Sequence, residues 1–192
     1  VYAGHLRPAG EADTVVSLAP SNLICPRARN PAELLTVPKK AIGRGAEGSC
    51  HVIRCLDCYF DAPFFVRFEG ERASEILKAR RFDNRGFIRD MCNPESLGSI
   101  QWVEGNPPDE PGHIPALAGG DPVRVQGPDP LACPKCRKPM ESILQLSSDS
   151  LDASRRNKEM ADRFQICIGY YATLYFFVCR PCGITGSITQ CD

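Results

Sequence analysis

Cysteines spaced as CxxC pairs limit what this chain can fold into more than any other feature. The 192 residues contain eleven cysteines, and three pairs have two residues between them: Cys55/Cys58, Cys133/Cys136 and Cys179/Cys182. The odd count, in a chain longer than most disulfide-dependent scaffolds, argues against a disulfide framework. In a reducing compartment such pairs read as metal ligands, so the expected location is cytoplasmic and the expected cofactor is zinc.

A CxxC turn lets two sulfurs point into one volume, and two such turns facing each other close a tetrahedron around Zn2+. Cys133, Cys136, Cys179 and Cys182 fit this zinc-ribbon pattern. SILQL follows the first pair as a strand, and the β-rich FQICIGYYATLYFFVC runs into the second. The 42 residues between the pairs exceed ordinary ribbon spacing. Loop-closure entropy, however, grows by only about 0.6 kcal/mol per doubling of length. Structural zinc contributes roughly 10–16 kcal/mol in peptide systems, so the insertion is no obstacle. Redox chemistry fits less well. A reactive CxxC sits at a helix N-terminus, whereas CRPC runs into GITGSI and CPKC leads toward a strand. Catalytic zinc is disfavoured too, because four thiolates leave no position for water.

A second phrase resembles the first pair's surroundings. LICPRARNPAE (23–33) and LACPKCRKPME (131–141) align with a shift of 108, so that Leu23, Cys25, Pro26, Arg29, Pro31 and Glu33 recur as Leu131, Cys133, Pro134, Arg137, Pro139 and Glu141. Ala28 stands where the second copy has Cys136. HVIRCLDC likewise resembles YFFVCRPC, setting Cys55 and Cys58 over Cys179 and Cys182. A second site would then hold Cys25, Cys55 and Cys58. Its fourth ligand would come from Cys92, Cys50 or His51, with Cys92 preferred because a strand carries the other two away from the turn. The alternative, that Cys25, Cys50 and Cys92 are small buried thiols, stands level with it. Cys167 and Cys191 read as core or terminal thiols.

The fold class expected is α+β, mainly β: two zinc-ribbon-like units, an internal duplication, with one or two short helices. Residues 1–103 form an N-terminal unit and 133–192 the C-terminal ribbon. The Pro/Gly-rich residues 104–132 connect them, and the whole can pack as one domain. ERASEILKARRF (71–82) is the best helix candidate, with Ala73, Ile76 and Leu77 at suitable spacing and Glu75 in reach of Lys78. Residues 147–164 are either a short helix or a polar excursion. GRGAEG (43–48) fits the GxGxxG dinucleotide-binding pattern but runs into SCHVIRC, a strand rather than a helix, so it reads as a turn.

Lys+Arg and Asp+Glu are each 23, and a duplex-DNA binder carries a basic excess, so nucleic acid is not the expected partner. No apolar run reaches about 18 residues, which speaks against a membrane-spanning helix. His5, His51 and His113 are scattered and no catalytic motif occurs, so no enzyme is expected.

The tract from LGSIQW (97–102) through CPKCRKPMESILQL to LYFFVCRPC resembles the bacterial YwqG-like family, on Gly98, Trp102, Met140, Gln145 and Tyr175 to Cys182. Ser99 and Ile100 depart from that family's Gly and Pro. The CxxC–strand–CxxC order is also similar to the C-terminal domain of programmed cell death protein 2. The resemblance implies a zinc-binding, β-rich module with no established reaction. It suggests a protein-binding role, as an immunity protein against a cognate bacterial toxin domain. A nucleic-acid-binding zinc ribbon using Arg80, Arg81, Arg85 and Arg89 is the alternative.

Overall fold

The computed structural model describes residues 2–7, 17–27, 29, 31–38, 49–55, 63–70, 72–78, 99–104, 116–119, 122, 131–147 and 172–191. Among them the chain forms β1 (Tyr2–Arg7), β2 (Ser17–Ile24), β3 (Pro31–Pro38), β4 (Ser49–Arg54), β5 (Phe64–Glu69), β6 (Arg72–Lys78), β7 (Ser99–Glu104), β8 (Ala116–Ala118), β9 (Glu141–Ser147), β10 (Ala172–Cys179) and β11 (Ile184–Cys191). Eight strands make one sheet in the order β6-β5-β11-β10-β9-β8-β1-β7, and β2-β3-β4 make a second. Every pairing is antiparallel.

The mainly-β expectation holds, but the helix over 71–82 is corrected. Its described part, Arg72–Lys78, is strand β6. The register explains why the sequence reads as helical. Val66 opposes Ile76, Arg67 opposes Glu75 and Phe68 opposes Ala73, leaving Leu77 and Ser74 as extra residues at two irregularities. A bulge flips the strand's two-residue alternation. Ala73 and Ile76, three apart, therefore pack on one hydrophobic cluster, while Leu77 packs on another. Glu75 meets not a helical lysine but Arg67 across the strand pair, at 2.8 Å. The other helix candidate, 147–164, lies outside the described residues beyond Ser147, and so does GRGAEG. Among the described residues the only helical element is a single 3-10 turn, Arg180–Cys182.

β10 and β11 sit centrally and are built accordingly. Thr173 to Phe177 are buried without alternation, as expected of a strand covered on both faces. On β11, Ile184 and Ile188 join a cluster with Phe65, Tyr175, Phe177, Cys133 and Cys179. Gly186 lies between them on the same face, where a Cβ would stand 2.5 Å from Leu131 Cδ2 and 2.9 Å from a Phe65 ring carbon. Only glycine allows that close packing. Thr185, Ser187 and Thr189, also buried, alternate onto the opposite face.

That opposite face holds a second cluster of Cys25, Ile53, Cys55, Phe64 and Val66. β5 therefore divides the two: Phe65 enters one cluster, Phe64 and Val66 the other. Arg54, 4% exposed, ties the smaller sheet to this face. Its guanidinium donates to the Ser187 carbonyl at 3.1 Å and to the Ser187 hydroxyl at 3.2 Å, and lies 5.6 Å from the Phe64 ring centroid.

Candidate metal centre

The four cysteines of the zinc-ribbon pattern meet. Cys133 and Cys136 sit on a turn closed by an isolated bridge between Ala132 and Pro139. Inside it the Cys133 N–H donates to Lys138 O at 2.9 Å, and the Arg137 N–H donates to Cys133 O at 2.9 Å. Arg137 takes φ 63°, a left-handed conformation uncommon for a residue with a side chain. Met140 closes the base, donating to Leu131 O at 2.8 Å. The chain then enters β9.

Cys179 ends β10, and the 3-10 turn with Pro181 near its start carries Cys182 back toward Cys179. Gly183 follows at φ 62° and ψ 34°. A Cβ there would meet Phe68 O at 2.8 Å, so both conformation and space demand glycine. Its own carbonyl accepts from the Phe68 N–H at 2.7 Å, anchoring the turn to β5.

The four sulfurs all lie within 4.8 Å of one another, and Cys136 Sγ is 3.6 Å from Cys179 Sγ. A tetrahedral ion with Zn–S bonds of about 2.3 Å sets its sulfurs about 3.8 Å apart, so the cluster has the right scale. Cys133 and Cys179 are buried, Cys136 and Cys182 half-buried. Arg180, inside the second turn, grips Glu141 after the first, with Nε to Oε2 at 2.7 Å and a terminal nitrogen to Oε1 at 2.5 Å. This fork bridges the second turn and the first residue of β9.

The thiols are electrostatically unequal. A backbone hydrogen bond from Lys138, helped by its cysteine neighbours, lowers Cys136 to about 7. Loss of solvation raises Cys179 to about 12, and loss of solvation also raises Cys182. A divalent cation would relieve this by drawing all four groups into the thiolate form. Four thiolates suit a soft or borderline metal and fill a tetrahedral shell. The cluster is able to coordinate a metal ion where the turn before β9, the end of β10 and the start of β11 meet.

The candidate second set is only partly described. Cys25 and Cys55 are fully buried in one cluster, whereas Cys58 and Cys92 lie outside the described residues. Cys50 pairs with Val37 and His51 with Thr36 along β4. Sequence reasoning missed Arg54, Arg180 and Glu141. The signal was present for two of them, because Arg180 lies within one CxxC and Glu141 just beyond the other.

The class these features define is a mainly-β protein with a four-cysteine cluster able to coordinate a metal ion. Comparison with known families, curated proteins and solved structures finds no match, so neither the YwqG-like resemblance nor that to programmed cell death protein 2 gains support. No helix among the described residues is long and apolar enough to cross a membrane.

Proposed function

We propose that Cys133, Cys136, Cys179 and Cys182 hold a structural Zn2+ that staples a cytoplasmic, non-enzymatic protein-binding module, an immunity protein against a cognate bacterial toxin domain. The observation that carries it is the four-cysteine cluster at the base of β9, β10 and β11, its sulfurs all within 4.8 Å of one another. A filled shell fixes architecture rather than activating water. The near-zero net charge and the absence of a recognisable catalytic motif favour a protein partner. The immunity role rests on the resemblance to the YwqG-like family. Co-purification from the native cell tests it: a stoichiometric protein partner is expected, and repeated recovery of the chain alone argues against it.

One observation favours nucleic acid instead. Lys135, Arg137 and Lys138 are exposed on the first turn of the cluster, and Arg27 and Arg29 are exposed beside Cys25. Zn2+ with four thiolates carries a net charge of about −2, however, and nearby cations offset it without any ligand. Filter binding at two salt concentrations separates the readings. Affinity for single- or double-stranded nucleic acid that falls steeply with salt, and falls again in Lys135→Ala/Lys138→Ala, supports the alternative.

A further inference from the structure

We infer that Cys25 and Cys55 are ligands of a second thiolate zinc centre, separate from the one above. The basis is a backbone frame that the two halves share. Ile24 pairs with Pro31 as Ala132 pairs with Pro139. Glu33 pairs with Arg54 as Glu141 pairs with Val178, and Leu34 with Ile53 as Ser142 with Phe177. The Arg29 N–H donates to Cys25 O at 2.7 Å, matching Arg137 to Cys133 O at 2.9 Å. Arg29 takes φ 60° where Arg137 takes φ 63°.

Each half thus has one cysteine directly after the partner of a proline. The other directly follows the partner of a glutamate two residues further along the chain from that proline. In the C-terminal half this frame sets the Cys133 and Cys179 sulfurs within 4.8 Å. The same frame carries Cys25 and Cys55, both 0% exposed and packed with Ile53, Phe64 and Val66. Packing alone explains two buried thiols. It does not explain why they stand where Cys133 and Cys179 stand, beside the only other turn among the described residues that has this hydrogen bond and this left-handed arginine.

The shell differs in one respect. Ala28 occupies the position corresponding to Cys136, so the first turn supplies one thiolate instead of two. Cys58 and Cys92 enter as sequence candidates for the remainder. Thiolate ligands and a core setting make zinc the fitting ion. The scaffold proposed above needs only the C-terminal centre, so the two readings fail separately.

Elemental analysis of the full chain, purified without chelator, should give two zinc atoms per molecule. Cys25→Ser/Cys55→Ser should give one, and Cys133→Ser/Cys179→Ser should give one. One zinc in the wild-type protein that Cys25→Ser/Cys55→Ser retains, or any unchanged value in Cys25→Ser/Cys55→Ser, overturns the inference. The former result leaves the C-terminal centre standing if Cys133→Ser/Cys179→Ser then loses the remaining ion. Should Cys25→Ser/Cys55→Ser fail to fold, cobalt titration of the zinc-stripped wild-type chain decides. Thiolate-to-cobalt absorption that rises to two equivalents supports a second centre, and saturation at one refutes it.

Discussion

The turns at Cys25 and Cys133 share a hydrogen bond, a left-handed arginine and a strand register, yet the strands that follow are used differently. After Cys182 only Gly183 intervenes, and β11 folds straight back on β10. After Cys55 the chain reaches β5, which pairs with β11. Local sequence has set the two turns alike, while the residues beyond them decide the tertiary partner. Gly183 makes the immediate reversal possible, since its left-handed backbone sits 2.8 Å, measured from a Cβ position, from Phe68 O. The consequence is that β5 and β11, each following a CxxC pair, lie side by side with the two cysteine clusters on opposite faces.

The comparison breaks most sharply if metal is withdrawn. Structural zinc contributes roughly 10–16 kcal/mol in peptide systems, more than most domains have in total. Chelation, or Cys133→Ser, should therefore abolish cooperative unfolding of the β9–β11 region, as followed by circular dichroism and amide exchange. Reloading also has a pH signature. Cys179 and Cys182 are raised by burial, so the metal must displace their protons near neutral pH, while Cys136, lowered to about 7, is already partly ionised. Affinity should fall as pH falls, and calorimetry in buffers of different ionisation enthalpy should show proton release. Zinc uptake by the stripped chain without proton release would contradict burial-raised thiols at Cys179 and Cys182.

Arg54 tests the join between the sheets. Arg54→Ala removes two charge-assisted hydrogen bonds to Ser187 and the contact with Phe64. A loss of about 3 kcal/mol is expected in denaturant unfolding of the metal-loaded protein. Arg54→Met keeps the packing volume and should recover part of it. If Arg54→Ala costs nothing, the guanidinium is not what secures the small sheet.

Gly183→Ala addresses the reversal itself. The left-handed backbone costs a residue with Cβ about 1–2 kcal/mol, and the Phe68 carbonyl must also move. A loss of about 2 kcal/mol or slightly more should appear in the thermal midpoint. Gly70 offers an internal control: it too has positive φ, 64°, but nothing lies within 4 Å of its Cβ position, so Gly70→Ala should cost less.

How far the sequence speaks follows from the same residues. The CxxC spacing located the four-cysteine cluster because two residues between ligands is a local constraint, indifferent to the long insertion. SILQL and LYFFVC were legible as strands because burial on both faces selects β-branched and aromatic side chains. β6 was not legible, since two irregularities in its pairing with β5 converted alternation into a spacing of three. Nor could the sequence show that β5 would pair with β11, because nothing local distinguishes one antiparallel neighbour from another. In the sequence Arg54 is one residue of a strand; that it reaches Ser187, 133 positions away, depends on the completed fold.

The smallest expected effect concerns the fork between Arg180 and Glu141, the feature that has no described counterpart in the first half. Leu56 occupies the position of Arg180 after Cys55, so that half lacks the arginine by sequence. Side-chain exposures of 39% and 53% leave the pair in contact with water, where an ion pair is worth about 0–1 kcal/mol despite its two-pronged geometry. A double-mutant cycle with Arg180→Ala and Glu141→Ala should give a coupling within that range, shrinking in high salt. The Arg67–Glu75 pair, at 41% and 54% exposure and 2.8 Å with a single contact, provides the reference and should couple more weakly. A coupling for Arg180–Glu141 no larger than that for Arg67–Glu75 would mean that the fork adds little to the β9–β10 pairing and the sulfurs in holding the two turns together.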